Sequence, residues 1–296
     1  MIAFGSSITS PEAYRRYAEP GIRLAAEPDS EVWGFAAAGS IFRSYNLILD
    51  QAASRDDLEA LVLLHQDAEI VDPDFCPKLR RALDDSEVGV VGCVGAVGVR
   101  SIAWWEGSVT WASFTHRYEQ NGGGDVPAMT WKADEIPSFA HTGEVDAVDG
   151  FVLALSPWTV RNIRFDESLG QLHGYDFDFC LQVRAASRKV VTADLRVVHH
   201  HSLELVSDPQ SWIAAHMRIA EKWEGRMPHV GEEGGDWKQR ARRAEAEAAA
   251  ARMETVATMT QAEARLNEVT QSRSWRLTAP LRRLNALRKQ LRRQRS

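Results

Sequence analysis

Cysteine is scarce: Cys76, Cys93 and Cys180 are the only three in 296 residues. None belongs to a CxxC pair and the count is odd, which argues against a disulfide framework and against a structural zinc site. They are expected as small buried apolar residues. Long hydrophobic runs are missing as well, since no stretch approaches the roughly 18 apolar residues that span a bilayer. Met1-Ile2-Ala3-Phe4 enters a strand without a charged secretory leader, so the expected compartment is the cytoplasm. There is no GxGxxG either. The glycine-interleaved stretch from Val88 to Val99 carries GxxGxxG and is not a dinucleotide fingerprint.

Charge is unevenly placed. Residues Trp237 to Ser296 hold 15 Lys+Arg against 5 Asp+Glu, or +10, and subtracting this from the total of -6 leaves -16 for residues 1 to 236. The tail brings no nucleic-acid reader motif and the body is acidic, so nucleic acid is not an expected partner. From Gln271 onward there are nine basic residues and no acid, with Leu277, Leu281, Leu284, Leu287 and Leu291 at helical spacing. A basic amphipathic helix of this kind suits an anionic membrane surface or a protein partner. Before it, Lys238 to Thr270 is rich in Ala, Glu and Arg, with Val256, Met259, Leu266 and Val269 on an imperfect stripe. That pattern fits a solvated long helix or a coiled coil that pairs two copies of the chain.

What the chain does have is a run of strands and helices organised around LEALVLLHQDAEIVDPDF, Leu58 to Phe75. Leu61 to Leu64 form a short apolar run that reads as a strand buried on both faces of a largely parallel sheet, and it ends abruptly in His65-Gln66-Asp67. Ligands gather at the carboxyl ends of such strands, so Asp67 is placed to hold a cation or a phosphate-bearing ligand. Asp67 and Asp72 can equally cap the turn begun at Asp72-Pro73. Upstream lie a strand at Ile2 to Phe4, a helix marked by Ser10-Pro11-Glu12, a second strand at Glu31 to Phe35, and a helix over Ile41 to Ala53 with Asn46 near its middle. Ser6 and Ser7, in the loop after the first strand, read as nucleotide contacts or as plain turn residues. Downstream come a helix over Pro77 to Asp84 and the glycine-interleaved strand region. Strand and helix in alternation predict an α/β domain with right-handed crossovers.

Three later stretches carry polar groups. Glu144 to Leu155 reads as a strand with Asp146 and Asp149-Gly150 near its start. His173-Gly174-Tyr175-Asp176-Phe177-Asp178 sits at a helix start, where acids also favour the macrodipole without any further role. Lys189 to Val198 reads as a late strand running into His199-His200-His201; His199 and His201 share one face, and their nitrogens serve metal binding or ordinary hydrogen bonding. Between Trp104 and His141, a section rich in Trp and Gly shows no period, and its aromatics suit sugar stacking or a small satellite core.

Taken together, LVLLHQDAEI, EVDAVDGFVLAL followed by FDE, and HGYDFDFCLQVR followed by VVHHHS resemble glycosyltransferase family 2 over roughly residues 1 to 220, in a branch with HQD in place of DxD. The resemblance implies a GT-A fold: a Rossmann-like, mostly parallel sheet flanked by helices, over residues 1 to 225. A 226 to 236 linker and a basic helical extension over 237 to 296 follow. It implies a nucleotide-sugar donor, a divalent metal (manganese or magnesium) held by Asp67 with His199 or His201, and Asp176 as the base that takes the acceptor hydroxyl proton in a single inverting displacement. Ser6, Ser7, Asn46 and Asp67 are the implied donor-side residues, and Asp149, Gly150, His173 and Tyr175 the acceptor-side ones. Tyr175 stands where the family carries Glu, and no Asp follows the second strand to contact the base. The implied acceptor is a hydroxyl of a glycan or of a lipid-linked sugar, which fits a cytoplasmic enzyme lying on the inner face of the membrane. A GT-A-like module that binds without turnover, and a scaffold acting through its C-terminal helix, are the rival expectations.

Overall fold

The first strand, β1 (Ile2–Ile8), is buried along Ile2 to Ser6. In this computed structural model the described residues are 1–36, 38–99, 109–112, 114–117, 125–127, 143–200, 209–225, 265–279 and 282. The contacts divide the chain into two units, Met1–Trp237 and Lys238–Ser296.

After β1, Ser10 caps α1 (Pro11–Ala13) by accepting from the Ala13 N–H, with Pro11 in the first turn. The helix continues as a π segment, Tyr14–Ala18, and then as α2 (Glu19–Ala25). Then come β2 (Val32–Ala36) and α3 (Ile41–Ala53), which Ser40 caps. Ile41, Phe42, Tyr45, Ile48, Leu49 and Ala52 recur at three and four residues, so α3 buries one apolar stripe against β1. Next are β3 (Ala60–Leu64), β4 (Ala68–Ile70), α4 (Phe75–Leu83), β5 (Val88–Gly92), β6 (Val94–Val97), β7 (Val109–Ala112), β8 (Phe114–Arg117) and β9 (Asp125–Pro127). The unit continues with β10 (Glu144–Val145), β11 (Ala147–Val148), β12 (Val152–Leu155), α5 (Pro157–Asn162), α6 (Tyr175–Ala185), β13 (Lys189–Thr192), β14 (Val197–His199) and α7 (Pro209–Lys222).

Seven strands form the central sheet in the order β10-β13-β5-β12-β3-β1-β2. β2, β1, β3, β5 and β13 run one way, and β12 and β10 run against them. The sheet is therefore mostly parallel, as expected of the α/β pattern. All five residues of β3 are buried, because β1 and β12 pair with its two edges and helices pack nearby. The three cysteines are free and buried.

Two stretches that read as single strands are broken. Glu144 to Leu155 is three pieces, with a turn at Asp149-Gly150 where the chain leaves the small β11-β6-β7 sheet and enters the central one. Lys189 to Val198 is two pieces in different sheets; Arg196 adopts φ 44°, a left-handed kink that redirects the chain from β13 into β14. This second piece completes a sheet ordered β4-β14-β8-β9.

In the second unit, Ser272 caps α8 (Arg273–Leu277), accepting from the Trp275 N–H at 3.2 Å. The Arg282 guanidinium lies 3.6 Å over the Trp275 ring. Leu266, Val269 and Leu277 are exposed. Among the described residues no helix is long and apolar enough to cross a membrane. His201, Trp104, Trp105, Trp131, Gly122 to Gly124, the 226 to 236 linker and the tail positions Val256, Met259, Leu281, Leu284, Leu287 and Leu291 lie outside the described residues.

Candidate active site

At the end of β3 each residue of His65-Gln66-Asp67 has a separate task. The His65 N–H donates to the Phe151 carbonyl at 2.9 Å, extending the β3 to β12 ladder by one step. Gln66 turns back to the loop after β1: its Oε1 accepts from the Thr9 and Ser10 N–H groups at 2.8 and 2.7 Å, and its Nε2 donates to Thr9 Oγ1 at 2.9 Å. Asp67 is tied to the second sheet, where its carbonyl accepts from the His200 N–H at 2.8 Å and β14 sets His199 opposite Ala68.

This register brings together residues far apart in the chain. His65 Nδ1 lies 3.8 Å and His199 Nε2 3.7 Å from Asp67 Oδ1. One ligand-capable atom from each of His65, Asp67 and His199 falls within 4.8 Å of the others. Six-coordinate ions with bonds of about 2.1 Å set neighbouring donors about 3 Å and opposite donors about 4.2 Å apart, so the set fits a divalent cation after sub-ångström closing. Burial works against ionisation of Asp67, but the polar contact with His199 and the charges of His199 and His65 outweigh it and hold the carboxyl well below its ordinary range. A carboxylate kept ionised between two imidazoles suits a cation.

The neighbouring histidine faces away, as alternation along a strand requires: His200 Nε2 pairs with Glu69 at 2.7 Å and its ring stacks on Tyr17. Asp72 is taken up locally, accepting from the Asp74 N–H at 3.0 Å and from Lys78 Nζ at 2.5 Å.

The turn Asp149-Gly150-Phe151 joins this cluster to the start of α6. Asp149 accepts from the Phe151 N–H at 3.1 Å, and the Phe151 ring stacks on His199 with centroids 4.7 Å apart. Asp176 accepts from the Gly150 N–H through Oδ2 and from the Phe177 N–H through Oδ1, each at 2.9 Å. Burial, then the charge of Asp149, push the Asp176 carboxyl up to about 7, with the backbone donors opposing. A carboxyl placed there titrates where a general base is useful. Tyr175 is buried, with its hydroxyl 2.5 Å from His65 Nε2 in a hydrogen bond.

The other proposed site residues have these positions. Ser6 and Ser7 lie within β1, not in a loop after it, because the strand runs on to Ile8 in pairing with β2; Ser6 is fully buried and its Oγ has no hydrogen-bond partner among the described residues, and Ser7 is half-buried. The Asn46 amide donates to the Phe165 carbonyl and to Glu167 and accepts from the Phe165 N–H, so it stitches α3 to the segment before α6. His173 is half-buried beside Gly174, the residue that starts α6 with φ 76°. Asp178 serves the fold, accepting from Trp223 Nε1, Gln182 and Lys222. Sequence reasoning passed over His65, Gln66 and Phe151. The triplet HQD was itself the available signal for the first two; Phe151 gave none, because a Phe after Gly reads as strand core.

A family model described as Glycosyltransferase like family matches residues 12–221. The chain belongs to this family. It is a family 2-like glycosyltransferase, and it has curated relatives in biosynthesis. Streptomycin biosynthesis protein StrF of Streptomyces griseus is 31% identical over 205 residues, covering 68% of this chain and 67% of that protein. O-antigen biosynthesis protein RfbC of Myxococcus xanthus is 28% identical over 179 residues, 56% of this chain and 13% of that one. Among solved structures, GalNAc-T7 with UDP, GalNAc and Mn2+ superposes with a TM-score of 0.49 at 11% identity, covering 77% of this glycosyltransferase and 48% of that chain. The mannosyltransferase PcManGT from Pyrobaculum calidifontis in complex with GDP-Man and Mn2+ gives 0.46 at 14% identity, covering 93% and 82%.

Proposed function

We propose that this glycosyltransferase is metal-dependent and inverting, moving a sugar from a nucleotide-sugar donor to a hydroxyl of a glycan or lipid-linked acceptor. The observation that carries the reading is the meeting of His65, Asp67 and His199 at the end of β3, with Asp176 held nearby by the Gly150 N–H. A divalent cation supplies positive charge to a leaving diphosphate, whose negative charge grows as the glycosidic bond breaks. His65, Asp67 and His199 are the residues that would hold it. Two imidazoles among three donors favour manganese over magnesium, which takes oxygen ligands.

Asp176 accepts the proton of the attacking hydroxyl. Its backbone partners fix the carboxylate in one orientation, and its raised affinity for a proton makes it a stronger base than an exposed carboxylate. Ser7 and the loop that Gln66 pins after β1 serve the nucleotide side; Asp149, Gly150 and His173 serve the acceptor side. The basic tail suits a lipid-linked acceptor on an anionic surface.

Thermal unfolding of the full chain with UDP, GDP or dTDP, each with and without manganese, tests the donor site. A nucleotide present at about a hundred times its dissociation constant adds about 2.7 kcal/mol. One nucleotide is expected to raise the melting temperature only with manganese, and the rise is expected to vanish in Asp67→Ala. A panel in which no nucleotide stabilises the wild type with manganese overturns the reading.

A further inference from the structure

We infer that Tyr175 is a positioning residue whose hydroxyl holds the His65 ring by its Nε2 edge, so that Nδ1 is the edge turned toward Asp67 and His199; this rests on the metal-dependent reading above. The two nitrogens of an imidazole point to opposite sides of the ring, so a partner on one sets the direction of the other. In this chain the partner is the Tyr175 hydroxyl, 2.5 Å from Nε2, and the edge left over is the one 3.8 Å from Asp67 Oδ1. A ligating imidazole held through its second nitrogen is the usual way a metal site fixes ring orientation.

The ring that carries the hydroxyl is held on three sides. The Tyr175 ring is 6% exposed and meets Phe42 and Tyr45 edge-on, at 81° and 72°, and Phe165 at 6.0 Å between centroids. Position 150 makes room for it: a Cβ there falls 2.2 Å from the Tyr175 hydroxyl oxygen and 2.5 Å from Cζ. Gly150 thus admits the hydroxyl on one side while its N–H orients Asp176. Tyr175 and Asp176, adjacent at the start of α6, divide the work. The first orients a metal-side histidine, and the second faces the acceptor.

The test uses the full chain, as wild type and as Tyr175→Phe, which keeps the ring and removes only the hydroxyl. In metal-free protein, long-range proton–nitrogen spectra report the histidine rings, with His65 assigned by the signals that disappear in His65→Gln. Manganese alone is then titrated, with free Mn2+ read by electron paramagnetic resonance. Tyr175→Phe is expected to move the His65 ring signals, leave those of His216 in place, and weaken manganese binding by about tenfold to a hundredfold. Unchanged His65 signals, or manganese binding equal to wild type, overturn the inference and leave the metal reading intact. A wild type that fails to bind manganese overturns the metal reading instead, and the histidine spectra then decide the hydroxyl contact by themselves.

Discussion

Replacing Asp176 by asparagine should make the protein more stable at about pH 8 and nearly inactive. In the folded chain the carboxyl is raised from 3.8 to about 7, first by burial and then by Asp149, while in the unfolded chain it ionises normally. Below about pH 4 both states hold the proton and the group costs nothing. As pH rises toward 7 the unfolded state releases its proton and the folded state keeps it, so stability is lost across this window and the full cost remains above it. At about 1.4 kcal/mol per unit, the rise of roughly three units is about 4 kcal/mol. Asparagine stands in for the protonated carboxyl, but its single oxygen accepts from only one of the Gly150 and Phe177 N–H groups and its NH2 faces the other, which costs about 1–3 kcal/mol. The variant should therefore lie about 1–3 kcal/mol below wild type near pH 4 and, with the cost of about 4 kcal/mol removed, about 1–3 kcal/mol above it at pH 8. Urea unfolding of metal-free protein at the two pH values measures this. Sugar transfer should fall by about 10²- to 10⁴-fold, because the amide takes no proton. In the wild type, kcat/KM should rise with pH, with a midpoint at or below 7 because a bound cation favours the ionised form. An asparagine variant less stable than wild type at pH 8, or active within about tenfold of it, refutes the reasoning.

Gly150→Ala drives a methyl group into the buried Tyr175 ring, whose hydroxyl, Cζ and Cε2 lie 2.2, 2.5 and 2.7 Å from the added carbon; overpacking of this kind costs about 1–3 kcal/mol, and a displaced site costs about 10²-fold in turnover, both readable from unfolding and initial rates. Asp178→Ala removes the acceptor of the Trp223 indole N–H and leaves Lys222 paired with Asp166, so chemical unfolding should show a loss of about 1–3 kcal/mol. His216 is buried against Trp212, and burial brings it down to about 4, opposed by the Trp212 carbonyl. A histidine lowered in the folded state makes stability rise with pH between about 4 and 6.5, so His216→Gln should flatten unfolding curves across that window by about 3 kcal/mol.

Local patterns carried most of the fold. Gly39-Ser40 and a rough apolar face of Ile41, Tyr45, Leu47, Ile48 and Ala52 put the helix over Ile41 to Ala53, and the structure ends it at the same residues, with Leu47 exposed. The apolar run through Leu64 likewise gave β3, because a strand buried on both faces needs no polar alternation. Where two stretches broke, the cause was not in their composition. Glu144 to Leu155 and Lys189 to Val198 are both rich in β-branched residues, and what divides them is the choice of sheet, settled by partners such as β6 and β4 far away in the chain. The kink at Arg196 has no residue signature, since arginine rarely takes a left-handed φ.

The site was legible where its residues are polar, and hidden where their partners are decided by register. Asp67 and His199 could be read as ligand-capable side chains at strand ends, but which histidine meets Asp67 depends on β14 pairing with β4 so that His199 falls opposite Ala68. His65 was harder still. It is next to Asp67 but one, and in an extended strand both would share a face; what makes its ring usable is Tyr175, 110 residues later. Nothing in their spacing relates the histidine that opens the HQD triplet to the tyrosine before Asp176. In the fold they touch. A glutamate at position 175 would place a further carboxylate next to Asp176, whose proton affinity is already raised by burial and then by Asp149, and one more like charge would make ionisation of the base harder. A neutral hydroxyl at that position orients His65 without adding charge beside Asp176. The substitution that looks like lost machinery in a linear reading is, in three dimensions, compatible with an ionisable base and a fixed histidine at once.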